Sequence, residues 1–231
     1  MQEIFHRNIK ESVSAERLES YCKDGADECT TFARYLWNMA VCESLYSPLQ
    51  IAEIALRNAI HNALSIRFNS SQWYDFAPLQ PYAKDEIAQA KKRILQKKGA
   101  FSPGDIVAEL QFGFWTSLLG KVYNNSPIPA AILKHAVKNC HKSEKNISAQ
   151  KQRWDMIREL RNRVFHHERI IHWKDLKQQH EHLLFAIKWI SNDLYDLTIV
   201  LDRFSATYDS GIIIWKDKIR YHWPKTEGAG K

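Results

Sequence analysis

Glycine and proline are scarce: 8 and 7 in 231 residues. Without frequent turn residues, a chain of this length does not read as many short strands joined by tight hairpins, and long helices are favoured. The four cysteines, Cys22, Cys29, Cys42 and Cys140, form no C-x-x-C pair and no regular framework. That spacing argues against a disulfide scaffold or a thiolate metal site and fits small buried apolar residues in a reducing compartment. No apolar run approaches the 18 or so residues of a membrane span. The first residues, M-Q-E-I-F-H-R-N-I-K-E, lack the apolar centre of a signal peptide. The expectation is a cytoplasmic protein that does not enter a membrane.

What is present is ordinary for a globular fold: 45 % hydrophobic and 26 % charged residues. The length is enough to bury a real core. The net charge of +7, with a pI near 9.2, permits an anionic partner such as nucleic acid without establishing one.

The periodicity predicts an all-α fold in a single helical domain spanning 1–231, with an irregular arm at 1–11 and an irregular tail at 217–231. Ser14 caps a first helix over 15–23, ended by Asp24-Gly25. A second runs over 28–46. Ser47-Pro48 reads as a fresh helix start, opening a central helix at 48–68. Residues 69–80 read as a connection with Trp73, Tyr74 and Phe76 folded onto the core. Further helices are predicted at 81–98, 105–123, 130–139, 148–167 and 174–204, with a loop at 124–129. In the last of these helices His180-Glu181-His182 reads as exposed. Gly113, inside the apolar run Phe112–Trp115, marks close packing or a break. The I-I-I-W and Y-H-W-P strings near the end read as extended.

The chemistry concentrates in 153–172, R-W-D-M-I-R-E-L-R-N-R-V-F-H-H-E-R-I-I-H. Arg158, Arg161, Asn162, Arg163, His166, His167 and Arg169 fall within it. On a wheel of about 100° per residue, Arg158, Asn162 and His166 form one ridge, and Arg161 sits beside it at the edge of the apolar arc. His167 falls among Met156 and Leu160, placed to be packed. An imidazole titrates near neutrality and suits proton transfer. A guanidinium keeps its charge and forks its donors toward phosphate. Since RNA carries its own 2′-hydroxyl nucleophile, such a set would suffice for cleavage without a metal. Two other readings stay open on the residues alone. H-H-E-R-I-I-H suggests zinc, but His167 and His172 are five apart rather than the four of H-E-x-x-H, so no metal and no cofactor is expected. Arg161 could instead pair with Glu159, Glu168 or another helix as plain structure.

Elsewhere, L-R-N-A-I-H (56–61) echoes L-R-N-R-V-F-H (160–166) with Arg57 and His61 one residue too close. A pairing of Glu53 with Arg57 across one turn is the expectation there. Lys91, Lys92, Arg93, Lys97 and Lys98 form the most basic tract, read as a solvated face or as an RNA-binding face.

Arg161-Asn162, three residues and then His166 resembles the Arg-polar-x-x-x-His signature of HEPN-type ribonucleases. L-R-N-R-V-F-H-H-E (160–168) resembles Abi-like (abortive infection) proteins, as do E-I-A-L-R-N-A-I with Trp73-Tyr74, and E-L-Q-F-G-F-W followed by L-L, in that order over roughly residues 30–190. Arg169 stands after H-H-E where that family's commonest string has proline. The resemblance implies a HEPN-like helical bundle, a symmetric homodimer with a shared cleft, and a growth-arresting endoribonuclease toxin of anti-phage defence. It implies His166 as acid/base, Arg161 as phosphate stabiliser and Asn162 as positioner, with Arg158, His167 and Glu168 as auxiliary candidates. The products would carry 2′,3′-cyclic phosphates and 5′-hydroxyls, and a protein or RNA antitoxin would restrain the toxin. The alternative it leaves open is a non-catalytic HEPN-type module that binds RNA or protein.

Overall fold

The computed structural model describes residues 2–23 and 25–222, with the backbone alone for 2–5. About 75 % of the described residues are helical and no strand occurs among them, which settles the all-α class. The helices are α1 Gln2–Val13, α2 Ala15–Glu19, α3 Glu28–Phe68, α4 Pro81–Lys98, α5 Pro103–Glu109, α6 Phe112–Ser117, α7 Pro127–Ala131, α8 Ile147–Phe165, α9 Leu176–Ile190, α10 Asn192–Leu201, α11 Phe204–Asp209 and α12 Ile213–His222. No helix among the described residues is long and apolar enough to cross a membrane.

The chain divides into two compact units. The first comprises 1–46, 163–176 and 202–231; the second comprises 47–162 and 177–201.

The first unit is built on Leu18, Phe32, Ala33 and Ile219, with Ile9, Val13, Leu36, Ile212 and Trp215 packed around them. That core explains two departures from expectation. Residues 1–11 are not an irregular arm, because Ile9 and Val13 lie one turn apart and α1 brings both to the core. The I-I-I-W region is not extended, because Ile212, Trp215 and Ile219 recur at helical spacing, and α12, starting just after Ile212, seats them together. The helical part of the expected tail thus reaches His222; the Y-H-W-P string ends beyond the described residues. The helix expected over 15–23 is shorter, ending at Glu19, with the Ser14 hydroxyl accepting from the Arg17 N–H at 3.2 Å.

A buried asparagine knits this unit. Asn38 on α3 is 2 % exposed. Its Nδ2 donates to the Glu168 carbonyl at 3.1 Å, and its Oδ1 accepts from the Ile170 and Ile171 N–H groups at 2.8 and 3.3 Å.

In the second unit the core is aromatic. Trp73, Trp115 and Trp154 are fully buried, with Trp73 and Trp115 centroids 6.3 Å apart and Phe112 edge-on to Trp154 at 6.4 Å. Leu56, Ile60, Leu64, Ile157 and Leu160 fill the rest. Phe76 does not fold back, being 67 % exposed, whereas Trp73 and Tyr74 do.

Several boundaries differ. No new helix starts at Pro48: α3 runs through it for 41 residues. An interior proline costs about 3 kcal/mol. Leu45, Leu49 and Ala52, all at most 1 % exposed, bury enough apolar surface to offset that cost. The helix expected over 105–123 breaks at Leu110, whose backbone is extended at ψ 132. One straight helix could not bury Leu110, Phe112, Phe114, Trp115 and Leu118 together; α5 and α6 at different angles can. Gly113 lies in the first turn of α6, just past that break. α7 starts at Pro127, inside the expected loop, and passes into a wide π-type turn, Ile132–Ala136. The 174–204 helix breaks at Ser191, whose hydroxyl caps α10 by accepting from the Leu194 N–H at 3.2 Å. His180 is buried, not exposed, at 4 %. Leu176, His180, Leu183 and Ile187 form the buried stripe of α9. Only α4 matches its expected bounds, held by Pro81 at its first position and by Gly99 at φ 74, whose N–H donates to the Leu95 carbonyl at 2.9 Å.

Removing the Asn38 amide leaves the buried Ile170 N–H and the half-buried Ile171 N–H without their acceptor, and leaves the Glu168 carbonyl with the weak Cys42 thiol donor. Asn38→Ala is expected to lower unfolding free energy by about 2–3 kcal/mol, read by urea denaturation. A loss below about 0.5 kcal/mol would show that the amide bonds add nothing net.

Candidate functional site

Arg161 and Asn162 belong to the second unit and stand on α8. Arg161 Nε donates to Glu53 Oε2 on α3 at 3.0 Å, and Nη1 lies 3.4 Å from Asn162 Oδ1. The Arg161 and Glu53 side chains are 29 % and 24 % exposed, so the pair is half-buried but reaches solvent. Glu53 therefore serves Arg161 rather than Arg57; the Arg57 Nε instead lies 3.5 Å from Asn58 Oδ1. Sequence reasoning missed Glu53 as the partner because the contact spans 108 positions, though an acid on a largely apolar helix was the available signal. Arg158, one turn before Asn162, approaches Asp155 at 3.6 Å and lies against Gly113 of α6.

His166, His167 and Glu168 belong to the first unit. α8 ends at Phe165, so the wheel does not extend to them. The Glu168 N–H donates to the Arg163 carbonyl at 2.9 Å and the His167 N–H to the Val164 carbonyl at 3.1 Å. These are the two bonds of a Schellman ending, with His166 as the cap and His167 in the left-handed position at φ 58. Sequence reasoning missed this ending because no glycine marks it; histidine is among the residues that enter this region more readily than most. The consequence is that His167 is not packed among Met156 and Leu160. Both histidines are exposed. The Glu168 carboxylate pairs with Arg163, and Arg169 donates to the Ser20 carbonyl while lying over the Tyr21 ring at 5.5 Å. The His167 carbonyl accepts from Arg17 Nη1 at 3.2 Å.

The basic tract is partly neutralised. Lys91 pairs with Asp75 at 2.8 Å and lies over the Tyr74 ring at 5.1 Å. Arg93 pairs with Glu109 at 2.6 Å, and Lys98 with Asp105, whose carboxyl is held well below its usual range by Lys98 and Ser102. Lys92 and Lys97 are exposed.

His61, the histidine of the 56–61 echo, accepts through Nδ1 from Trp73 Nε1 at 3.0 Å. Burial pushes its pKa down. His172 is pushed the same way by burial and by the positive charges of Arg169, Lys23 and Arg163. Among the described residues no three His, Cys, Asp or Glu side chains are grouped to hold a metal ion.

Comparison with known proteins adds nothing to this geometry: no family model, no curated protein and no solved structure matches the chain.

The Glu53→Gln and Arg161→Gln double-mutant cycle is expected to give a coupling of about 1 kcal/mol in urea unfolding; a value near zero would mean the pair is mutually indifferent. His167→Gly, which relieves the left-handed strain, is expected to raise stability by about 0.5–1 kcal/mol, whereas His167→Val lowers it. For His61 the folded pKa is depressed. Its contribution is therefore complete above the unfolded value of about 6.5 and is lost as pH falls through the lower folded value. His61→Gln, which keeps an acceptor for Trp73, should flatten the decline in melting temperature between pH 7 and pH 5.

Proposed function

We propose that the protein is a metal-independent endoribonuclease of HEPN type, acting as a dimeric, growth-arresting toxin in anti-phage defence. The observation that carries the reading is the Glu53–Arg161–Asn162 set. A carboxylate grips the Nε edge of a guanidinium that still reaches solvent. The Nη end is then oriented before any ligand arrives. A fixed fork of donors is what a scissile phosphate requires, and prior orientation lowers the entropy lost on binding.

In this mechanism the 2′-hydroxyl of the substrate attacks the adjacent phosphorus and the 5′-oxygen leaves. The exposed His166 moves the protons, Arg161 stabilises charge on the phosphoryl oxygens, and Asn162 positions the phosphate or the imidazole. Two copies of the chain would supply two imidazoles, one as base and one as acid. The products are a 2′,3′-cyclic phosphate and a 5′-hydroxyl.

One observation favours a non-catalytic RNA- or protein-binding module instead. An arginine ion-paired to a carboxylate on a neighbouring helix is also what a purely structural residue shows.

Incubation with total RNA in EDTA separates the two. Cleavage is expected to persist under chelation and to fall at least about 100-fold in His166→Ala and in Arg161→Ala. Mixing these two inactive variants should restore part of the activity if the cleft is composite. RNA binding without cutting, unchanged by either substitution, would reject the enzyme and leave the module.

A further inference from the structure

The first unit contains a cavity of about 600 Å³ that the cleavage chemistry does not use. Its volume lies within the range of small-molecule and cofactor sites. Cys42 and Asn38, both buried, are among its lining, and burial pushes the Cys42 thiol pKa up. Tyr35, Tyr46 and Trp215 supply aromatic walls. Two of these rings are fixed by aromatic neighbours: Tyr35 stands edge-on to Tyr21 at 5.4 Å, and Tyr46 leans on Phe165 at 5.1 Å. The Trp215 indole N–H is buried and has no hydrogen-bond partner among the described residues.

The exposed lining residues are Met39, Glu43, Arg17 and His167. Arg17 and His167 both line the cavity and are joined by the Arg17 bond to the His167 carbonyl. Glu43 also lines it, but its carboxylate is paired with Arg203 at 3.2 Å. The cavity therefore offers fixed aromatic faces and a guanidinium at its mouth.

A flat heteroaromatic ring attached to an anion meets both requirements. An aliphatic chain would leave the cation unused, and a free phosphate would leave the rings unused. His167 is also the immediate chain neighbour of His166.

We propose that this cavity is a nucleotide subsite for single-stranded RNA: a base enters between the aromatic walls, and Arg17 meets its adjoining phosphate. The inference names the substrate class for the ribonuclease reading and rests on it. Stacking gives affinity with little sequence demand, and the Arg17 contact makes that affinity salt-dependent.

The test uses the full chain and a short fluorescein-labelled single-stranded RNA with 2′-O-methyl groups throughout, which removes the nucleophile and isolates binding from cutting. Fluorescence anisotropy gives the dissociation constant over a series of salt concentrations. Tyr46→Leu is expected to weaken binding about tenfold, while Tyr46→Phe, which keeps the ring, leaves it unchanged. Arg17→Gln, at an exposed position, is expected to reduce the slope of log affinity against log salt by about 0.7. Circular dichroism melting checks the fold of each variant. Should Tyr46→Leu fail to fold, the Arg17→Gln slope decides alone.

Absence of binding by the wild-type chain overturns the subsite. So do an unchanged affinity in Tyr46→Leu and an unchanged slope in Arg17→Gln. If the wild-type chain cuts unmodified RNA while the variants bind normally, the subsite fails and the ribonuclease stands. If binding depends on Tyr46 and Arg17 but unmodified RNA stays intact, the subsite stands and the ribonuclease fails.

Discussion

The amide of Asn38 is the constraint on which the arrangement of the first unit depends. Once α8 ends, the segment after it has no helix or strand to satisfy its backbone, and buried peptide groups must find partners. A single side chain with both a donor and an acceptor provides them, taking the Glu168 carbonyl with one end and the Ile170 and Ile171 N–H groups with the other. A carboxylate could not donate and a lysine could not accept. With Ile170 fully buried just beyond, the polar clamp and the apolar anchor act on adjacent residues. The Schellman ending then fixes where the two histidines leave α8, and the clamp fixes where the chain goes next.

That arrangement shows why the site was only partly legible. Arg161, Asn162 and His166 stand out in the sequence because charged, amide and imidazole side chains crowd one helix. A helical wheel, however, assumes the helix continues. Nothing local announced an ending at Phe165, since the left-handed position is held by His167 rather than glycine. The wheel therefore sent His167 into the core, whereas the backbone turns it to solvent. Glu53 stood out as an acid on a largely apolar helix, but its partner could not be read, for a different reason. Helical periodicity reports neighbours within a few turns, and an ion pair between α3 and α8 leaves no local trace.

The fold divides along the same line. α4 was readable to the residue because both ends carry their own chemistry, proline at the start and left-handed glycine at the finish. Pro48 carried the same start signal and was overruled by burial on both sides of it. Local signals are worth about 1–3 kcal/mol each, and a run of fully buried leucines outweighs them. The opposite error occurred at Ser191, where Ser-Asn-Asp is a sound capping string that apolar periodicity on both sides concealed. Caps are trustworthy where packing is neutral and are overridden where the core is dense.

Charge tells a similar story about function. A net +7 first draws attention to the lysine-rich face of α4, the densest cluster of positive residues. Yet Lys91, Arg93 and Lys98 each face a carboxylate, and counterion release by RNA requires cations whose field is not already answered. Arg161 is also paired, and like Arg93 it is held at Nε, but it stands half-buried beside Asn162 on α8. Its carboxylate holds the Nε edge, so what the ion pair takes in net charge it returns as a fixed direction for the fork. For long-range attraction net charge matters most. For a phosphate in a cleavage site, direction matters more, because an oxyanion is stabilised by donors that need not reorganise when the charge appears. A half-buried, ion-paired arginine is therefore better suited to the proposed cleavage, and poorer at recruitment, than a free lysine on an open helix face.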